Sequence, residues 1–493
     1  MRRVRSRVLC ALLALAVCAA TATSCSDDGV LSDAAVTSAP DTARPDAPPS
    51  TQAPDRPGTD DGAAGSDGAG DPYFPTLGNG GYDVARYELD LDIDGDDLDA
   101  SVRIEAAAEV DLDTFNLDFT GFEIESVLVD GEPATHRRDG DELVVDPEPL
   151  LQAGDTFVVT VDYRGRPQPR PDRVLGRVGW QRAGSVSIVA AEPYGAHLWF
   201  PSNDHPSDKA AFRFSITVPE GMTAIANGVL VSSTERGGRT TWVWDHPDPM
   251  PTYLASIAVG DLVLGEPQEV NGIAVRHAFA PTLADVASRA FADTPAMITD
   301  LEGLFGPYPF DAYGALVVDA ELGYALENQT WSLFDRSIVD GSFSSSRTMV
   351  HELAHHWFGN WVTPATWRDI WLNEGFATYA EELWLERTVA DYDIDASMRR
   401  VANGRPLGPI GDPGADGLFT SSVYWRGALT LHALRRTIGD AAFFQLLRAW
   451  LDRHGGESAS TDDFVALATE VAGTDVAPLL DAWLNDPSMP PLP

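Results

Sequence analysis

The sequence predicts an α+β multidomain fold, an all-β domain over residues 72–265 followed by an α-rich domain over residues 266–493. Three observations predict it. From about residue 72, apolar and charged residues alternate with the period of half-buried strands. After about residue 280, apolar residues recur at the three- and four-residue spacing of helices. The chain has 493 residues, 44% of them hydrophobic and 9% aromatic, enough for two or three domains and a sizeable core.

The elements follow in order. Residues 1–24 read as a signal peptide, with Arg2, Arg3, Arg5 and Arg7 ahead of an apolar run from Val8 to Ala20 that is too short to span a membrane. Ala22-Thr23-Ser24-Cys25 resembles a bacterial lipobox, which makes Cys25 the expected lipidation site; the alternative is an ordinary cleaved secretory signal. Residues 25–71, rich in Asp, Ala, Pro, Ser, Thr and Gly and without an aromatic residue, predict a disordered tether. Strands are expected at YELDLDID (87–94), FEIESVLVDG (122–131), DELVVDP (141–147), TFVVTVDY (156–163) and AFRFSITVP (211–219). Helices are expected at 285–306, around 351, and at 376–391, 426–440 and 441–455. A short strand-like run, GALVVDAELGYAL, lies among them at 314–326.

The net charge of −41 argues against nucleic acid and anionic lipid surfaces as partners. Its bland meaning is solubility, and its functional meaning is attraction of cationic groups such as a peptide amino terminus. Of the basic residues only Lys209 is a lysine. Cys10, Cys18 and Cys25 are the only cysteines and all precede the fold, which excludes disulfides, a cysteine-based zinc site and a cysteine nucleophile within it.

The stretch HELAHHWFGN (351–360) carries the chemistry. Between the serines at 344–346 and Gly359 it reads as helical, and positions i and i+4 share a helix face. His351 and His355 can therefore reach one Zn²⁺, with Glu352 beside the metal as a base for water. A third protein ligand is needed, and the candidate is Glu374 in WLNEGFATYAEELWLE, nineteen residues after His355; the alternative is an acidic residue in a first helical turn. The aromatic flanks Trp357, Phe358, Trp361, Trp367 and Trp371 fit a buried site better than the alternative, a histidine-rich surface helix. His356 lies ~100° further round the helix, so it supports or packs and does not ligate.

These segments resemble the gluzincin zinc aminopeptidases typified by aminopeptidase N. The resemblance extends to ALENQ (325–329), VYWRGALTL (423–431), EPYGAHLWFPSNDHPSDKA (192–210) and PTYLASIAVGDL (251–262), and covers about residues 80–490. It implies a saddle-like β domain on a thermolysin-like catalytic domain with one zinc ion per chain. Tyr424 matches the family's oxyanion-stabilising tyrosine, with Tyr379 and Tyr392 the other tyrosines between Glu374 and that position. Glu327 and Glu192 match the carboxylates that hold the substrate ammonium, with Asn328 beside them. Glu381, seven residues after Glu374, matches an acid behind a zinc ligand. Asp369 and Asn373 are weaker supporting candidates, equally readable as caps.

The sequence departs from the family's Gly-x-Met-Glu-Asn segment. Tyr324 stands in place of glycine and Leu326 in place of methionine, and the tyrosine is expected to narrow the first subsite. Arg426 replaces a common lysine. The family's further C-terminal helical domain is expected to be absent. The resulting expectation is a lipid-anchored, extracytoplasmic bacterial zinc aminopeptidase acting on peptides with a free N-terminus. A thermolysin-like endopeptidase and a catalytically lapsed cell-surface binding lipoprotein are the alternatives.

Overall fold

The computed structural model describes residues 65–493 apart from Val174 and Arg405. The signal segment, Cys25 and most of the expected tether lie outside the described residues.

Alternation along YELDLDID becomes a strand, Tyr82–Asp94, that buries Tyr87, Leu89, Leu91 and Ile93 and turns its acids outward. It lies inside an eight-stranded sheet in the order Val229–Arg236, Arg239–Pro251, Lys209–Pro219, Tyr82–Asp94, Asp97–Ala108, Thr156–Gly165, Glu123–Val129, Glu132–Pro133. Tyr82–Asp94 runs parallel to Lys209–Pro219, and Tyr87 stacks on Phe212 at 4.9 Å between ring centroids. Removing a large apolar side chain of this kind from water stabilises by ~1.5–3 kcal/mol. A five-stranded sheet, Thr223–Ala226, Ile257–Gly260, Val186–Ala190, Gly176–Ala183 and Arg170–Asp172, packs its central strand completely. That strand leads directly to Glu192.

A third sheet opens with Val263–Leu264 and holds Ile273–Phe279, Ala312–Val317 and Ser332–Phe334 in parallel register. The strand-like run at 314–326 is a strand only as far as Val317. Beyond it the backbone amides of Leu322 and Gly323 donate to the Asp335 carboxylate, so a side chain replaces the ladder. Leu326 rejoins the sheet through a single bridge to Leu333, which presents Glu327 at the end of the sheet. The expected helix at 285–306 forms as two, Ala284–Ala290 and Thr294–Phe305.

Three helices carry the site: α1 (Phe343–Ala354), α2 (Trp371–Thr388) and α3 (Ser421–Ile438). Ser342 caps α1 by accepting from Ser345 N at 3.1 Å, so the helix begins just ahead of the serine cluster read as its start. It ends at Ala354, earlier than Gly359, because His356, Trp357 and Phe358 tighten onto Leu353 and Ala354. Helices α2 and α3 meet glycine to glycine: a Cβ added to Gly427 would lie 2.6 Å from Gly375 Cα. The backbones bearing Glu374 and Tyr424 can approach this closely only because neither position has a side chain.

Residues 65–71 fall in the stretch expected to be a tether, yet Asp71 is buried. Its carboxylate accepts from Trp367 N at 2.7 Å and from Tyr73 N and Phe74 N, fastening the start of the fold to the 3₁₀ turn Trp367–Asp369 that leads into α2. Tyr73 donates to Asp412 at 2.5 Å and Phe74 packs on Tyr194.

Candidate active site

His355 follows the last regular residue of α1 but keeps helical backbone angles, so it shares a face with His351. Glu374, in the first turn of α2, brings Oε2 to 3.2 Å from His351 Nε2 and 3.5 Å from His355 Nε2. The three ligand atoms lie within 4.8 Å of one another in a buried pocket.

The outer ring nitrogens are engaged as a metal site requires. His351 Nδ1 donates to Glu381 Oε1 at 2.9 Å and His355 Nδ1 donates to the Phe358 carbonyl at 3.1 Å. Both Nε2 atoms thereby face Glu374. Gly359, at φ +121°, packs on the His355 ring, and a Cβ there would stand 3.1 Å from Nδ1. Electrostatics agree with the geometry. Burial opposes charge on His355, but Glu327 and Glu374 overcome it and push the imidazole up to about 9. Against burial, His355 and His351 hold Glu374 down to about 2. The pocket is built for positive charge, and two imidazoles and one carboxylate at these positions fit one zinc ion with an open coordination position.

Four carboxylates share the pocket. Glu352, next to His351, is buried, and burial together with Glu327 and Glu374 pushes it up to about 8 against the pull of the histidines. Glu192 arrives from the β domain and Glu327 from the end of the small sheet. Ligand oxygens of Glu192, Glu327 and Glu374 lie within 4.8 Å of one another. Oε1 of Glu192 and Oε1 of Glu327 are buried without a hydrogen-bond partner.

Tyr424 on α3 lays its ring against His351, with centroids 5.7 Å apart and planes 20° apart. The other two tyrosines are engaged elsewhere. Tyr379 bonds His432 at 3.0 Å, and Tyr392 donates to Glu382 at 2.5 Å. Asn328 is buried and donates to Ser256 Oγ at 3.0 Å. His356 is packed among Tyr308, Phe310 and Tyr313 and accepts from Thr330 N at 3.1 Å, which pins the loop after Glu327. Asp369 takes the capping role, bonding Thr461 through its amide and hydroxyl. Asn373 lies against Gly359. Arg426 points away from the site and caps the last helix, Ala477–Asn485, at the Ala482 and Trp483 carbonyls. Tyr324 accepts from Gln181 Nε2 at 3.0 Å, joining the Glu327 loop to the β domain.

Several positioning residues escape a sequence reading. Asn360 donates to the Glu327 carbonyl at 2.8 Å, Tyr253 donates to the Gly359 carbonyl at 3.1 Å, and Lys209 donates to the carbonyls of Asn360 and Trp361. The third joins the β domain to the turn after His355. The one local signal is that of Arg347, whose i, i+4 spacing puts it on the face of His351.

A buried histidine–histidine–glutamate set with a neighbouring carboxylate, on paired helices behind a β domain, defines a metallohydrolase of the gluzincin class. Residues 84–254 match the Peptidase M1 N-terminal domain and residues 290–483 the Peptidase family M1 domain. The M1 zinc metallopeptidase of Deinococcus radiodurans superposes with a TM-score of 0.80 at 32% identity, over 86% of this chain and 98% of that one. The chain belongs to peptidase family M1. Aminopeptidase B of Mus musculus is 28% identical over 320 residues, 59% of this chain and 48% of its own length. Leucyl aminopeptidase of Saccharolobus solfataricus is 25% identical over 430 residues, 83% of this chain and 54% of its own. The chain thus spans about half the length of the curated relatives it matches.

Proposed function

We propose that the protein is a zinc aminopeptidase that removes one residue at a time from peptides with a free amino terminus. The observation that carries this is the pair of buried carboxylates Glu192 and Glu327, each with an oxygen that accepts no hydrogen bond, beside the His351–His355–Glu374 set. A buried carboxylate oxygen without a hydrogen-bond donor is costly, and a substrate ammonium supplies the donor. Zinc held by the set would supply Lewis-acid polarisation of the scissile carbonyl and bring the pKa of water toward ~7.

The chain's own residues do the rest. Glu352 takes the proton from the attacking water and returns it to the leaving amine. The Tyr424 hydroxyl donates to the oxygen that gains charge on the substrate. Glu192 and Glu327 accept from the α-ammonium, which fixes the first peptide bond over the base. A variant of the D. radiodurans protein bound to a Tyr-Ser-Ala substrate, and a variant two-domain M1 zinc metallopeptidase bound to L-tryptophan, support substrates of this class. Hydrolysis of aminoacyl anilides compared with their N-acetylated forms tests the reading. Turnover of the free compounds alone supports it, and equal turnover of the blocked ones removes the roles of Glu192 and Glu327.

The same proposal includes export and a lipid anchor at Cys25, supported by the arginine-led apolar segment and Ala22-Thr23-Ser24-Cys25. Among the described residues no helix is long and apolar enough to cross a membrane. A Cys25→Ser variant that stays in the membrane fraction would count against the anchor.

A further inference from the structure

His351, one of the three residues of the metal set, belongs to a circuit of contacts that runs through Glu381, Arg347, Trp425 and Tyr424. On α1, Arg347 precedes His351 by one turn and shares its face. Its Nε donates to Glu381 Oε2 at 2.7 Å, and the other oxygen of Glu381 accepts from His351 Nδ1 at 2.9 Å. A second guanidinium nitrogen donates to Glu382 Oε1 at 2.8 Å. Glu382 is fully buried and takes a further hydrogen bond from Tyr392 at 2.5 Å. The guanidinium carbon sits 5.5 Å from the centre of the Trp425 ring. Trp425 adjoins Tyr424, whose own ring lies against His351.

We infer that Arg347 is a positioning residue for the metal site, acting through Glu381 on His351 and through Trp425 on Tyr424. The inference rests on the metallopeptidase reading above. Its physical basis is geometric. Successive helix residues diverge by ~100°, so Glu381 and Glu382 point apart. A planar guanidinium can bond both and stack on an aromatic face, whereas an ammonium acts as a single point. Without that fork, Glu381 keeps only its bond to His351 and can change rotamer. The imidazole it orients can then turn with it, and Trp425 loses its contact with Arg347 on α1. A residue in this place governs how long metal is held and how well the hydroxyl is aimed, with little effect on substrate affinity.

The experiment uses the full zinc-loaded protein. Zinc release to a competing chromophoric chelator is followed without substrate, with kcat, KM and melting temperature measured alongside. Arg347→Gln should release zinc about tenfold faster or more, the range for losing a residue that orients a ligand. It should also lower kcat with KM little changed, and Arg347→Lys should fall between. Combining Arg347→Gln with Glu381→Gln should speed release no further than Glu381→Gln alone. A lower melting temperature with zinc release within twofold of wild type would reduce Arg347 to structural glue and overturn the inference, as would additive effects in the double variant. Should Arg347→Gln not fold, Glu382→Gln removes only the second anchor. Faster zinc release in that variant supports the circuit, and unchanged release refutes it. Because release needs no turnover, a wild-type protein inactive on every aminoacyl substrate would sink the aminopeptidase reading and leave this one standing.

Discussion

The phenol ring of Tyr424 stacks on the imidazole of His351, 5.7 Å between centroids and 20° from parallel. The residue that would stabilise charge and a residue that would hold the metal are therefore positioned against each other and not independently. Tyr424→Phe keeps the stacked ring and removes only the hydroxyl. We expect kcat to fall by about 10²–10³, the loss for one oxyanion donor, with zinc content and KM little altered. Steady-state kinetics with metal analysis checks this, and an equal loss of zinc would show that the hydroxyl serves the site's structure.

Glu192→Gln keeps size and removes the charge that would meet the substrate ammonium. A charged hydrogen bond is worth ~1.5–3 kcal/mol, so kcat/KM on free aminoacyl substrates should fall about ten- to a hundredfold. Residual activity on N-acetylated substrates should not fall with it. The ratio of the two in one assay is the readout.

At the crossing of α2 and α3, Gly427→Ala opposes two effects. Alanine gains ~1 kcal/mol of helix propensity, but its Cβ would meet Gly375 Cα at 2.6 Å. Overpacking against backbone costs ~1–3 kcal/mol and moves the helices that carry Glu374 and Tyr424, so the clash wins. We expect a net loss of stability in denaturant titration and a lower kcat. A stabilised, fully active variant would contradict the close crossing.

Lys209 gives a pH dependence with a definite sign. Burial outweighs the nearby Glu457 and pulls its ammonium from 10.5 down to about 7. Between those values the unfolded chain binds the proton and the folded chain does not, so this residue's contribution to stability rises with pH. Compared with Lys209→Met, wild type should gain stability from about pH 7 to pH 10, with a slope of at most about 1.4 kcal/mol per pH unit. Paired denaturation curves across that range measure it, and a flat difference would place the ammonium in water.

The parts of this molecule legible in its sequence are those set by local period. Alternation gave the strand Tyr82–Asp94 its buried face, and the four-residue spacing of His351 and His355 put both imidazoles on one side of α1. Glu192, Glu327 and Tyr424 carry no local signal of their own. The resemblance named them, and the fold brings them to one pocket from a β domain, a sheet end and a third helix. Contacts between distant residues stayed hidden. Asp71 reads as one more acid in a polar stretch, yet it bonds Trp367. Asn328, beside Glu327, gives no sign in the sequence that its amide donates to the buried Ser256 hydroxyl. Arg426 reads as a positive charge beside the tyrosine, and its guanidinium goes to the carbonyl end of the final helix.

Lys209 also makes this chain an unusual object for protein chemistry. It is the only lysine, and its ammonium is tucked under the Asn360 and Trp361 carbonyls at the start of a central strand. An endoprotease specific for lysine finds one place to cut in this sequence, at a half-buried residue paired with Pro251 in the sheet. Each opened molecule would be cut once, between Lys209 and Ala210, so a single gel lane would count how much of the population had unfolded.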